Sequence, residues 1–198
     1  SSLYEIITTY LFLGIDHILL GIDHLLFVLA LIFITNGKWK IIKTITAFTL
    51  SHSITLTLSA LELVQIPIPP VEAVIALSII FLAKETIDLK NGKTSLTYKY
   101  PWVVAFTFGL LHGFGFASAL SETGLPQTNL PYALGFFNVG VELGQLIFLA
   151  FIGLLVWLIK LILSNLALNN LKTITSYTIG GIATFWFIER IAVILNIN

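Results

Sequence analysis

The sequence has no cysteine and no methionine, and it has few charges: ten Lys+Arg and ten Asp+Glu among 198 residues. Each shortage excludes something. Without cysteine there is no disulfide scaffold, no thiolate metal site and no cysteine nucleophile. A soluble domain carries roughly 25% charged residues, whereas this chain carries 10%, too few to cover a water-facing surface. A net charge of zero removes the basic face that nucleic acid requires, so nucleic acid is not an expected partner. The missing methionine extends to position 1. The expectation is therefore a processed chain, preceded by a removed signal peptide or an extracytoplasmic segment.

What the chain has instead is apolar length: 57% of its residues are hydrophobic and its mean hydropathy is +0.98. A membrane-crossing helix needs about 20 mostly apolar residues. Six stretches qualify: 14–36, 41–63, 71–89, 101–121, 132–160 and 172–195. Asn36-Gly37, the prolines 67, 69 and 70, Asn91-Gly92 with Pro101, Pro126 with Pro131, and Asn165 with Asn169-Asn170 separate them. Residues 3–13 read as an amphipathic segment at the interface. The expected fold is all-α: a polytopic membrane helix bundle of about six transmembrane helices, forming one domain over residues 1–198 with the lipid bilayer as partner.

Lysine placement orients this bundle. Lys38, Lys40 and Lys43 surround the first loop, Lys84, Lys90, Lys93 and Lys99 the third, and Lys160 and Lys172 the fifth. The other loops and the N-terminal segment carry neither Lys nor Arg, and Arg190 falls on the opposite side. Positive residues stay on the cytoplasmic side, which places both termini outside.

Ionisable residues inside spans are costly and usually face the protein interior. All the histidines, His17, His24, His52 and His112, lie in or at the mouth of spans, with Asp16, Asp23 and Glu142. At a rise of about 1.5 Å per residue, His24, His52 and His112 come out roughly 18–21 Å from their nearest inner lysine anchors. Three helices thus bring three imidazoles to one level, somewhat outside the midplane. Glu142 comes out near 27 Å on a long helix that can tilt, and Asp16 and His17 near 32 Å, at an outer mouth. The first span repeats Gly14-x-Asp16-His17 as Gly21-x-Asp23-His24, a heptad shift that points both pairs the same way on a continuous helix. Imidazole binds nickel, copper, zinc or iron, and a carboxylate either ligates or orients the imidazole. The expected ligands are His17, Asp23, His24, His52, His112 and Glu142. Asp16, Ser51, Ser53, Glu72, Asn138 and Gln145 are expected to orient them or to line the entrance. Gly109-x-x-x-Gly113 and the Gly140/Gly144 pair read as close-packing faces.

At these motifs the chain resembles the HupE/UreJ family of bacterial membrane proteins. The resemblance rests on His17-x-x-x-Gly21-x-Asp23-His24, Ser51-His52-Ser53-Ile54-Thr55-Leu56 and Val71-Glu72-x-x-Ile75-Ala76-Leu77-Ser78. It continues through Phe108-Gly109-x-x-His112-Gly113 and Phe137-Asn138-x-Gly140-Val141-Glu142-x-Gly144-Gln145, covering about residues 14–146. Ile18 stands where hydrogenase-linked members have proline, and Phe108 where they carry another histidine, so the chain is closer to the broader second branch. The resemblance implies a metal permease of the bacterial inner membrane, handling nickel or cobalt.

Residues and resemblance together give a permease or binding protein for a divalent metal (nickel, cobalt or zinc), with an intramembrane His/Asp/Glu site open to the outside. An oligomer or an accessory subunit is compatible with it. The alternative is a zinc-dependent intramembrane hydrolase or transferase acting on a lipid or membrane-anchored substrate, with Glu142 or Asp23 activating water. Against the permease stands the lack of polar residues leading from His52 to the cytoplasm, where only Thr44, Thr46, Ser78 and Thr107 are found.

Overall fold

The computed structural model describes residues 2–122, 129–163 and 165–196, and the side chains of all of these but 116–122 and 165–166. Among the described residues, α-helix is the only regular element. Its order is α1 (Leu3–Leu20), α2 (Ile22–Ile34), α3 (Lys38–Ala60), α4 (Ile68–Lys90), α5 (Leu96–Lys99), α6 (Pro101–Glu122), α7 (Leu130–Lys160) and α8 (Asn165–Ile194). The break expected at Pro126 lies outside the described residues. Among the described residues, four helices are long and apolar enough by themselves to cross a membrane: α1, α3, α7 and the part of α8 over Ala167–Ile194.

Two boundaries differ from expectation at the N-terminal end. Residues 3–13 continue into α1, whose start is fixed by a capping box: Ser2 Oγ accepts from Glu5 N at 3.3 Å and Glu5 Oε2 from Ser2 N at 2.9 Å. The stretch 14–36 is two helices, broken at Gly21 with φ −77° and ψ 91°. In α8 the pair Asn169-Asn170 lies inside the helix instead of ending a loop. Glu85, which reads as an ordinary surface charge, is buried. Its carboxylate accepts from Leu96 N at 2.7 Å and Thr97 N at 2.8 Å. It thereby satisfies N–H groups at the start of α5 that have no intrahelical partner.

Helices in lipid associate through close packing, because tails are as apolar as side chains. The glycines show where this happens. A Cβ on Gly14 would run into Phe137 O and Gly140 Cα, and one on Gly144 would meet Ile15 and Ile18. Helices α1 and α7 therefore touch along rising numbers in both helices and run in the same sense. Gly109 lies on Phe48 and Ser51, and Gly113 on His52, Thr55 and Leu56, so α6 and α3 also run in the same sense. Helices α4 and α8 run oppositely: Lys90 Nζ donates to Thr173 Oγ1 at 2.8 Å at one end, and Arg190 Nε meets Glu72 Oε2 at 2.7 Å at the other.

These contacts sort the bundle into two ends. Lys172 Nζ donates to Phe33 O near the end of α2, and Lys43 lies 4.8 Å over the Trp102 ring. Lys84 and Lys93 both pair with Asp88. The starts of α3, α6 and α8 and the ends of α2 and α4 thus meet at one end, among lysines that α3, α4 and α8 and the segment after α4 supply. Glu72 and Arg190 mark the other.

Candidate metal centre

Gly21 positions the site. Its peptide turns the chain between α1 and α2, while Gly21 N still donates to His17 O at 3.0 Å. A Cβ there would meet His17 O and His24 Nδ1. On a continuous helix a seven-residue step would separate His17 from His24 by about 10 Å. In the broken helix their rings are 4.6 Å apart. His17 is therefore not an outer-mouth residue, as depth counting suggests, but belongs with the deeper imidazoles.

The rings converge from α1, α2, α3 and α6. His24 is the hub, 4.9 Å from His112 and 5.7 Å from His52, and His17 is 5.7 Å from His52. Two groups of ligand atoms result, His17/His24/His52 and Asp23/His24/His112, each with its atoms within 4.8 Å of one another. Ligands at about 2.1 Å from a tetrahedral ion sit about 3.4 Å apart. Each group needs to tighten by about an ångström or more to hold one ion.

Hydrogen bonding fits such an occupant. His24 Nδ1 bonds Asp23 Oδ1 at 3.0 Å, and the same oxygen accepts from His24 N at 2.8 Å. This is the arrangement in which a carboxylate fixes the ring and leaves the far nitrogen for metal. That nitrogen, His24 Nε2, is buried without a hydrogen-bond partner. So are both nitrogens of His52 and Nδ1 of His112. Buried polar atoms are normally satisfied; four unsatisfied imidazole nitrogens in neighbouring rings are what a cation-binding cluster requires. Phe27 and Phe48 wall the cluster, 4.9 Å and 5.1 Å from the His112 ring.

A cavity of about 430 Å³ leads to the cluster, lined by Asp16, His17, Asp23, His24, Glu72 and His112 among others. It lies at the Glu72–Arg190 end of the bundle. His52 does not line it, so the cavity meets three imidazoles and the fourth lies behind them. Asp16 is exposed and lines this cavity.

Other expected participants are not brought in. Glu142 is in neither group of ligand atoms; its Oε1 accepts from Thr46 Oγ1 at 2.7 Å. The cause is helix register: where α7 meets α3, Glu142 faces a residue six positions before His52. Ser51 and Ser53 donate to their own helix, to Phe48 O at 2.9 Å and Thr49 O at 2.7 Å. Asn138 Nδ2 donates to Leu134 O, also within its helix. Gln145 is fully buried and pairs with Thr49 rather than with an imidazole. The hydroxyl that approaches a site histidine is Ser78 Oγ, 3.5 Å from His112 Nε2. In the sequence it stands in the motif after Glu72 and among the few polar residues expected between His52 and the cytoplasm.

A helical bundle with several apolar helices of membrane-crossing length and a buried imidazole–carboxylate cluster under a cavity defines a class: membrane-associated helical proteins with a buried site that fits a metal ion. The sequence model of the HupE / UreJ proteins matches residues 1–190, and the chain belongs to that family. No curated protein and no solved structure matches it.

Proposed function

We propose that the chain is a permease for a divalent transition metal, nickel or cobalt before zinc. On this reading the histidine cluster is the binding site and the cavity beneath Asp16 and Glu72 the access route. One observation carries it: four buried imidazole nitrogens on three rings lack hydrogen-bond partners while facing one another below an acidic cavity. Membership of the HupE/UreJ family supports nickel or cobalt as cargo. The broken first helix supports transport, because interrupted helices at the midplane present carbonyl ends to cations in many transporters.

The same reading takes α1 and α2 as one downward pass in two pieces, giving six passes. The shared sense of α1 with α7 and of α3 with α6 supports this count. The lysine-bearing end is then cytoplasmic and both termini are outside, in the bacterial inner membrane. Cysteine introduced at Lys93 in this cysteine-free chain is expected to react with a membrane-impermeant maleimide only after permeabilisation; labelling in intact cells overturns the orientation. The binding site is tested by metal analysis of the purified protein offered Ni²⁺, Co²⁺ or Zn²⁺. About one ion per chain is the expected result. A chain that binds none, and melts identically with and without each ion, overturns the reading.

A further inference from the structure

Transport needs a way from His52 toward the lysine-bearing end, and α7 supplies what the α3 sequence does not. Thr46, Thr49 and His52 follow one another at three-residue steps along α3, a spacing that keeps them on one helix face. Glu142 and Gln145 are spaced likewise on α7. Thr46 Oγ1 donates to Glu142 Oε1 at 2.7 Å, and Thr49 Oγ1 lies 2.9 Å from Gln145 Oε1. From His52 to Thr46 the helix descends about 9 Å. Two polar pairs therefore lie below the imidazoles, where an apolar interior is the default.

Proton counting shows that the upper pair is unfinished. The Thr49 hydroxyl has one proton and two acceptors, Ile45 O at 3.3 Å and Gln145 Oε1 at 2.9 Å. Gln145 is fully buried and its Nε2 has no partner. Amide oxygen and nitrogen are interchangeable in such a geometry. With the amide turned over, Nε2 donates to Thr49 Oγ1, whose proton goes to Ile45 O. The group left without a partner is then a carbonyl oxygen, an acceptor with nothing to accept.

We propose that Glu142 and Gln145, with the Thr46 and Thr49 hydroxyls, form a second, oxygen-donor station for a divalent cation between the histidine cluster and the lysine-bearing end. The proposal rests on the permease reading and deepens it. The donor chemistry sets the order of the stations. Imidazole binds nickel, cobalt and zinc well, whereas carboxylate, carbonyl and hydroxyl oxygens suit harder ions. An ion leaving the cluster thus meets a weaker set, and conduction requires sites weak enough to release what they accept. The carboxylate supplies the negative charge that a divalent ion needs inside a membrane. The carboxylate and amide that α3 lacks below His52 are contributed by α7 across the helix interface.

The test is Ni²⁺ uptake into liposomes reconstituted with the full chain, beside Ni²⁺ stoichiometry and melting temperature in detergent. Glu142→Gln and Gln145→Leu are each expected to lower uptake by about tenfold or more, the range seen when ligand-supporting groups are removed. Both variants should keep the bound Ni²⁺ of the parent, and Glu142→Asp should recover part of the uptake. Uptake equal to the parent in both variants overturns the second station. Loss of bound Ni²⁺ together with uptake also overturns it, by assigning these residues to the histidine cluster or to the fold. A parent that binds Ni²⁺ but carries none across removes transport and this station together, and a parent that binds none removes the histidine site as well.

Discussion

The two ends of the bundle handle charge in opposite ways. At the lysine-bearing end, charges find partners: Lys84 and Lys93 share Asp88, Lys90 meets Thr173, Lys172 meets a backbone carbonyl, and Glu85 holds the start of α5. At the cavity end, the imidazoles converge and are left unfinished. Partnered charges anchor a bundle in its bilayer. Unpartnered, buried donors are tolerated where something else completes them, so the contrast supports the proposed metal site at the cavity end.

The largest expected effect comes from the hub. His24 is shared by both groups of ligand atoms, so His24→Ala removes a ligand from each. It should lower Ni²⁺ affinity beyond the 10–100-fold that supporting residues cost. Lys90→Ala, at the opposite end, should leave bound Ni²⁺ unchanged. Equal losses in the two variants, measured by metal analysis, would erase the contrast between the ends. Asp23→Asn comes next. It keeps the shape but removes the charge that orients His24, and about 10–100-fold in affinity is expected to go.

Acid should act on the cavity end alone. Metal and proton compete for the same imidazole lone pair, so affinity falls as pH falls. Below its own pKa in the cluster, each competing imidazole costs about tenfold in affinity per pH unit. Titrating bound Ni²⁺ from neutral to acid should show this loss, and affinity independent of pH would argue against imidazole ligation.

Much of this contrast can be read in the sequence, and the exceptions have physical causes. Counting residues from lysine anchors places His24, His52 and His112 at one level because a straight helix converts number into height. The same counting misplaces His17, because an isolated glycine inside an apolar run reads as tolerated helix, and at Gly21 the helix breaks. Glycine spacing identifies the faces that α6 and α7 pack with. It does not give the register of α7 against α3, which depends on both helices at once. That register moves Glu142 away from the imidazoles and onto Thr46, and it hides the pairing of Gln145 with Thr49. Glu85 reads as a surface charge for a similar reason: its partners are backbone N–H groups in a later turn, and no side-chain pattern announces them.

The smallest effect sharpens the comparison at its one exception, the basic residue on the acidic side. Arg190 bonds Glu72 through Nε at 2.7 Å and Glu189 through a second nitrogen at 2.7 Å. Glu72 lines both the cavity that leads to the histidines and an adjoining one that includes Trp186 and Arg190. The guanidinium therefore occupies a carboxylate that a cation would otherwise meet on its way in, and adds a positive charge to the mouth. The ion pair is partly exposed, with 32% of the arginine and 40% of the glutamate side chain accessible, and pairs of this kind contribute about 0–1 kcal/mol to stability. Arg190→Gln should thus barely move the melting temperature. It frees Glu72 and removes a repulsive charge, so Ni²⁺ affinity should rise about two- to fourfold at low salt. The gain should shrink as ionic strength approaches about 0.1 M, where the screening length falls to about 10 Å. Unchanged or weakened Ni²⁺ binding at low salt would show that Arg190 plays no part at the mouth of the cavity.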